Sequence, residues 1–259
     1  MRAGGRPGTV AAIGLLLMAL AGGCASLGFE RPDSLMEEGR QLYLEKKYDE
    51  AIAKFERVIE LDRTRFLAYV YLARCYIAKS SWGKAIANAR LAYQASPGGE
   101  DVVATFGEAL FGGGLAALTG GQFAEAIAAF TEYIRLRPTE ARGYLGAGRA
   151  YLASAQYDQA LGTLARGLQT DAGGALRSDL LRELLDGGVR AMQRGNIDSA
   201  AKLFQEYLRH DASNAAAYLT MGKAFLQSGD RTQALFHLGR ALQLNPSTPE
   251  ASDLLRGLR

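Results

Sequence analysis

Apolar and small side chains recur along this chain at spacings of three and four residues, which place them on one face of a helix. One recurring set consists of alanines, most of which have an apolar residue three places before them and another four places after. They are Ala51, Ala85, Ala126, Ala160, Ala200 and Ala234. A second set of small residues lies upstream of these: Gly39, Ala73, Gly114, Gly148, Gly188 and Gly222. The pattern predicts six pairs of closely packed helices.

The spacing of the alanines shows that one unit is repeated. The steps from position 51 to 85, from 126 to 160 and from 200 to 234 are equal in length. The steps from 85 to 126 and from 160 to 200 are longer, and their extra residues fall before the first helix of repeats three and five. The segment Phe130-Thr-Glu-Tyr returns two repeats later as Phe204-Gln-Glu-Tyr. We infer that repeats three and four were duplicated as a pair.

A small residue followed by an aromatic in one helix, then alanine and an aromatic in the next, resembles the tetratricopeptide repeat. The resemblance implies an all-α fold, a right-handed α-solenoid of about six helix hairpins with a C-terminal capping helix. The predicted repeats of the solenoid, residues 33–259, are 33–65, 66–99, 100–140, 141–174, 175–214 and 215–248, with the cap at 249–259. Scarce proline, at 6 residues, and few β-branched residues also favour helices.

The first residues predict export. Arg2 and Arg6 precede an uncharged apolar stretch at residues 9–21, as in a signal peptide covering 1–23. Residues 20–24 read Leu-Ala-Gly-Gly-Cys, which resembles the lipobox of bacterial lipoproteins. The resemblance implies that Cys24 carries a lipid and that residues 24–32 form a short tether. Two alternatives are an uncleaved membrane anchor, because residues 9–28 are uncharged, and an ordinary signal peptide with an incidental cysteine.

Charge and motifs argue against several functions. Without Arg2 and Arg6 the chain has 28 Lys and Arg against 27 Asp and Glu, and no basic stripe that would bind nucleic acid. Only two histidines occur, and no metal-ligand motif, phosphate loop or serine-nucleophile motif is complete. We therefore expect no enzymatic activity, no metal and no cofactor. Cys75 lies in an apolar helix and is predicted to be a small buried filler.

Local signals predict where helices begin or bend. Ser34-Leu-Met-Glu37 is the pattern of a capping box for the first helix, and Asn196 is a candidate N-cap. Thr248-Pro249 is expected to open the last helix. Gly112, Gly113 and Gly114 lie within a predicted helix, where they indicate either close packing or a hinge.

The resemblance also implies a binding surface, because in this family the first helices of successive repeats line a concave groove. Register places two apolar rows there, with cations between them. The predicted groove residues are Met36, Arg40, Tyr43, Val70, Arg74, Phe111, Leu145, Arg149, Leu185, Leu219 and Lys223. Apolar tracks flanked by cations would suit an amphipathic or acidic-apolar segment of another protein. The alternative is that these rows only pack within a tightly wound array.

The expected function is therefore a lipid-anchored scaffold that binds proteins and faces the periplasm. It is similar in build to tetratricopeptide lipoproteins that help assemble pilus secretins or outer-membrane β-barrels. The alternative is a regulatory adaptor that recruits an envelope enzyme such as a peptidoglycan hydrolase. Ala25 is not the acidic residue that favours inner-membrane retention in lipoproteins, so the outer membrane is the expected location.

Overall fold

The computed structural model describes residues 30–258, and every regular element in that range is a helix. The predicted signal peptide and Cys24 lie outside the described residues. The helices are α1 (Pro32–Leu44), α2 (Tyr48–Leu61), α3 (Phe66–Ala78), α4 (Trp82–Ala95), α5 (Glu100–Thr119), α6 (Phe123–Leu136), α7 (Ala141–Ala153), α8 (Tyr157–Thr170), α9 (Arg177–Gln193), α10 (Ile197–His210), α11 (Ala215–Gln227), α12 (Arg231–Leu244) and α13 (Pro249–Gly257).

Consecutive helices pair into six hairpins, and α13 packs on α12 at the end of the array. The first helix of a repeat has 13 residues in four of the six hairpins. In repeat three the first helix, α5, has 20 residues, and in repeat five α9 has 17. In repeat three the extra residues predicted before the first helix lengthen α5 at its N-terminal end, and in repeat five they lengthen both α9 and the connection before it. The array is the expected α-solenoid.

The small residues of each first helix lie where the two helices of a hairpin touch. A Cβ atom built on Gly148 would be 2.4 Å from Leu164 Cδ2, and one built on Gly222 would be 2.7 Å from Leu238 Cγ. Since real Cβ atoms do not approach other atoms so closely, only glycine fits without movement of the neighbouring helix. The predicted close packing at these positions is confirmed.

The glycine run in α5 also serves packing. The helix is continuous through Gly112, Gly113 and Gly114, and added Cβ atoms there would meet Trp82, Ile86 and Phe130 at 2.3, 2.8 and 2.9 Å. Of the described helices, α5 alone is long and apolar enough to span a membrane by length and composition. Half of its apolar window is buried, against helices of both neighbouring hairpins.

The N-terminal caps of α1 and α10 differ from the sequence predictions. Pro32 occupies the first turn of α1, so Ser34 lies inside the helix and does not cap it. Asn196 stands at the N-cap of α10, but its side chain accepts no capping hydrogen bond. Asn214 and Asp230 do cap, accepting from the backbone N–H of Ala217 and Gln233. Thr248 precedes α13, as expected.

The turn inside each hairpin contains one residue with a positive φ, which reverses the chain within two or three residues. Glycine supplies it in repeats three, five and six, at Gly121, Gly195 and Gly229. Lys46, Ser80 and Ala155 adopt the same conformation in the other hairpins, with φ between 54° and 61°. A side chain is disfavoured there, so these three turns carry some strain.

The apolar core runs along the array in two large clusters. One joins residues of repeats one to three, including Phe55, Leu72 and Phe106, and the other joins residues from Leu145 to Leu258. A smaller group rich in alanine lies between them. Cys75 is buried in the first cluster, as predicted, and burial raises the pKa of its thiol to about 12. Such a thiol is unreactive.

Candidate functional site

The first helices of neighbouring repeats lie side by side and form one surface, called here the inner face, that runs the length of the array. The predicted groove residues differ in how far this face exposes them. Arg40 and Lys223 are exposed, whereas Val70 and Leu145 are buried. The others are half-buried: Met36, Tyr43, Arg74, Phe111, Arg149, Leu185 and Leu219.

Two predicted groove residues lie in the core. Val70 is 1% exposed and packs with Ala92 and Val102, because the lengthened N-terminal part of α5 covers it. Leu145 is 6% exposed and belongs to the C-terminal core cluster, where the lengthened α9 lies against α7. In this packing neither side chain is available to a partner. The position of these residues within their repeats could not predict their burial, because it takes no account of the extra turns in the following helix.

The predicted row of cations is paired with acids from within the chain. Arg74 Nη2 donates to Asp101 at 2.9 Å, Arg149 Nε to Glu183 at 2.8 Å, and Lys223 Nζ to Glu250 at 2.7 Å. In each case the acid lies on the first helix of the next repeat or on the cap. These pairs therefore join successive first helices along the inner face, and a partner's carboxylate would have to compete with them.

At the N-terminal end, aromatic rings lie beneath the cations. Tyr71 stacks on Phe55, with ring centroids 5.1 Å apart, and meets the edge of Tyr43 at 5.8 Å. The guanidinium groups of Arg40 and Arg74 lie 5.8 and 5.5 Å from the centre of the Tyr71 ring. Burial raises the pKa of Tyr43, which therefore stays neutral at ordinary pH. This part of the inner face is apolar at its base with cations above it.

A first recess opens between α1 and α3. It has a volume of about 370 Å³ and is lined by both apolar and charged side chains. Met36, Phe66 and Leu67 supply its apolar wall, and its rim carries two ion pairs, Arg65 with Asp33 and Arg40 with Glu37. Leu67 is 44% exposed and is therefore accessible from solvent. The recess can therefore accept an apolar side chain from another molecule.

A second recess, of about 380 Å³, opens beside α5 at the junction of repeats three and four. Phe111 and Trp82 line it with Glu108, Arg137 and Arg142. The Arg142 guanidinium lies 4.8 Å from the centre of the Phe111 ring, an arrangement that holds both side chains in place. Of these residues the sequence predicted only Phe111 as part of the groove. Arg142 was missed because the prediction followed three rows and this residue precedes the first of them.

A hydrogen-bonded network fixes the basic side of the second recess. Arg137 Nη1 and Arg142 Nε donate to opposite oxygens of Glu140, at 2.7 and 2.8 Å, and the Tyr133 hydroxyl donates to the same carboxylate. Burial alone would raise the pKa of Glu140, but the bonds from Tyr133 and Arg137 outweigh it and lower that pKa. Burial, together with the Glu140 bond, raises the pKa of Tyr133 to about 12. The network is therefore charged and rigid at neutral pH.

Exposed apolar residues on the first helices occur at one end of the array. Among the described residues, the large apolar side chains most exposed on first helices are Leu44, Leu67 and Leu115, at 72%, 44% and 39%. All three belong to repeats one to three. In repeats four to six the corresponding exposed residues, Ile197, Leu235 and Phe236, lie on second helices.

Comparison with known families agrees with this architecture. Profiles of the tetratricopeptide repeat match residues 37–100, 117–184 and 191–258, which together cover most of the chain. The chain therefore belongs to the tetratricopeptide repeat family. The last two matches begin at positions 117 and 191. The distance between these starts equals the distance between Phe130 and Phe204 in the duplicated segment.

Among curated proteins, the chain is 26% identical over 237 residues to a DnaJ homolog subfamily C member 7 homolog of Schizosaccharomyces pombe (strain 972 / ATCC 24843). The match covers 89% of this chain but only 43% of that relative. This chain therefore spans less than half the length of that protein.

Solved structures show the same fold at low sequence identity. The complex of Naa15/Naa10 bound to HypK-THB superposes with a TM-score of 0.58 at 15% identity, over 88% of this chain and 34% of the other. YrrB, described as a TPR protein with an unusual peptide-binding site, gives 0.44 at 19% identity, over 78% and 97%. PilW, a type IV pilus biogenesis factor, gives 0.38 at 21% identity, over 86% and 98%.

Proposed function

We propose that this chain is a lipid-anchored scaffold that binds a segment of another protein on the inner face of repeats one to three. The observation that carries the proposal is the exposure of Leu67 and Leu115 on first helices at this end of the array, with Leu67 in the wall of the first recess and Leu115 one turn beyond Phe111 of the second. Exposed apolar side chains grouped beside recesses are typical of protein-binding surfaces. Family membership supports the same role, since tetratricopeptide repeats build extended surfaces for other proteins.

The partner segment is amphipathic, and its apolar side chains supply most of the affinity. Each recess accepts one apolar side chain, and Leu115 lies beyond Phe111 on the same helix. The cations contribute less, because Arg74 is already paired with Asp101 and exposed ion pairs are worth only about 0–1 kcal/mol. They favour acidic residues at the edge of the segment and so set its direction.

The scaffold works at the bacterial cell envelope, in the assembly of a pilus and secretin complex or of outer-membrane β-barrels. Support comes from the signal peptide pattern and from the lipobox at Cys24. Lipidation would tether the array at its N-terminal end, so that repeats one to three would be nearest the membrane. We expect the Cys24→Ala variant to lose membrane retention or to accumulate as an unprocessed precursor. Normal processing with unchanged membrane retention would contradict the anchor.

Binding on the inner face is tested by crosslinked capture from native membranes with matched surface variants. The test variant carries Leu67→Asp and Leu115→Asp, and the control carries Leu91→Asp. Leu91 is exposed to a similar degree, 46%, but lies on a second helix, α4. We expect the control to retain the partner that the wild-type protein captures and the double variant to lose it. Equal capture by both variants would contradict binding on the inner face.

A further inference from the structure

A cleft of about 330 Å³ lies on the other side of the array, between the second helices α6 and α8. Helix α7 forms its floor, and Tyr144 and Tyr151 project from that helix as its aromatic walls. The Tyr144 hydroxyl donates to the Pro138 carbonyl at 3.0 Å, which holds the ring in place. Thr163 and Gly162 of α8 lie at the opening. This region is called here the outer cleft.

The duplicated repeats show what such a cleft can hold. When the first copy is aligned on the second, Tyr144, Tyr151 and Thr163 correspond to Tyr218, Phe225 and His237. The imidazole of His237 stacks on the Phe225 ring at 5.1 Å with an angle of 6° between the planes. It lies 5.8 Å from the Tyr218 ring. In the second copy, therefore, a ring from the chain itself fills the space between the two aromatic walls.

The first copy keeps the walls but lacks the ring. Thr163 replaces the imidazole, and Ala147 stands where the second copy has Met221, so two large side chains are exchanged for small ones. His237 and Met221 are buried, whereas Thr163 and Tyr151 remain partly exposed. The difference leaves a cleft that is open to solvent beside Tyr151 and Thr163, with Tyr144, 9% exposed, largely buried in one wall. Aromatic rings favour stacked or edge-on contacts at the separations of 5.1 and 5.8 Å that His237 has in the second copy.

The rim of the outer cleft is polar and carries a cation. Thr131, Gln159 and Thr163 can donate or accept hydrogen bonds at the edge of a bound ring. Arg166 also lines the cleft, is exposed, and forms no ion pair within residues 30–258. The inner-face cations differ in this respect, since Arg74, Arg149 and Lys223 are all paired. An acidic group next to the ring would find a free partner in Arg166.

We propose that the outer cleft is a second docking site, which takes one aromatic side chain of a partner protein with an acidic residue beside it. The ring lies between Tyr144 and Tyr151, in the place that His237 occupies in the second copy, and the carboxylate pairs with Arg166. The site is independent of the inner face, because it lies between second helices. One molecule can therefore hold two segments at once.

The test uses two capped tripeptides, acetyl-Glu-Trp-Glu-amide and acetyl-Gln-Trp-Gln-amide, titrated into the isotope-labelled protein and followed by NMR. We expect both to shift the ring signals of Tyr144 and Tyr151, and the acidic peptide to bind several-fold more tightly. The Thr163→His variant fills the cleft as the second copy does, and we expect it to weaken both peptides by about tenfold or more, the factor equal to about 1.4 kcal/mol. The array tolerates histidine at the equivalent position 237, so the variant should fold.

A second variant separates charge from shape. Arg166→Glu alters an exposed side chain, so folding is retained, and we expect it to weaken the acidic peptide while changing the neutral one less than about twofold. Three results would overturn the proposal: no shift at Tyr144 and Tyr151 in the wild type, undiminished binding to a folded Thr163→His, or equal loss of both peptides in Arg166→Glu. Shifts confined to Phe111 and Arg142 would assign the ring to the inner face and also overturn it.

Discussion

The two halves of the array use the same repeat differently. Repeats one to three leave apolar side chains of their first helices in solvent, including Leu67 and Leu115. Repeat four carries Arg142 and Arg149 at the equivalent positions, and Leu145, Leu185 and Leu219 of repeats four to six pack in or against a core cluster that continues to Leu258. Register within a repeat predicts which residues face the groove, but the length of the next helix decides which of them remain accessible, as it does for the buried Val70 and Leu145.

The largest expected effect contrasts one leucine from each half. Leu145→Asp places a carboxylate in an apolar cluster, and we expect it to lower the free energy of unfolding by about 3–5 kcal/mol. Leu115→Asp replaces a half-exposed side chain and should change it by less than about 1 kcal/mol. Urea unfolding followed by circular dichroism measures both. Similar losses in the two variants would remove the distinction between the halves.

A second expected effect is a pH dependence of stability that arises from a histidine in the C-terminal half. Burial lowers the pKa of His237 from 6.5 to about 4, and the imidazole lies against the rings of Tyr218, Phe225 and Phe236. As the pH falls below 6.5 the unfolded chain takes up a proton that the folded chain does not bind until about pH 4. His237 should therefore leave the free energy of unfolding unchanged above pH 6.5. As the pH falls from 6.5 to about 4, that free energy should fall by up to about 3 kcal/mol.

The His237→Phe variant isolates the contribution of His237 protonation to stability, since phenylalanine keeps the stacked ring but does not titrate. The difference between the pH profiles of the wild type and the variant should grow steadily from pH 6.5 to about pH 4. A constant difference over that range would show that the folded protein can protonate His237 readily.

A third effect tests the helix contacts on which both halves depend. Gly222 lies against the side chain and the backbone N of Leu238, so Gly222→Leu should cost about 1–3 kcal/mol through overpacking. Glu250→Leu changes an exposed residue of the cap and serves as the control. Thermal unfolding should show a clear fall in midpoint for the first variant and a small change for the second. Equal small changes would mean that the repeat register is wrong.

The smallest effect concerns the ion pairs between first helices. Lys223 and Glu250 are about half exposed, so Lys223→Met should change the free energy of unfolding by about 0–1 kcal/mol. Arg149→Met should cost more, because within residues 30–258 it leaves the Glu183 carboxylate, which is 13% exposed, with only the longer contact from Arg190 at 3.4 Å. Unfolding at low and high salt measures both, and an equal effect of the two substitutions would contradict this ranking.

The repeats, the hairpins and the close glycine contacts could be predicted from sequence because they follow from local spacing. Gly148 and Gly222 were identified in this way. The candidate site was predicted only in part. Pairing of Arg74 with Asp101 and burial of Val70 under Val102 depend on how far one first helix extends along the next. The Glu140 network joins the end of repeat three to Arg142 at the start of repeat four. No single repeat contains that information.

The outer cleft was missed for a related reason. Thr163 and His237 are ordinary residues in their own helices, and neither belongs to the spacing that defines the repeat. The difference becomes visible only when the two copies are compared in three dimensions, where one holds a ring between aromatic walls and the other does not.

A crosslinking scan can show whether the partner lies on the inner face of repeats one to three. A photoreactive residue is placed singly at positions 67 and 115 in the N-terminal half and at 185 and 219 in the C-terminal half, and each protein is irradiated in native membranes. We expect one crosslinked partner at positions 67 and 115, with little or none at 185 and 219. Crosslinks of equal strength in both halves, or in the C-terminal half alone, would contradict it.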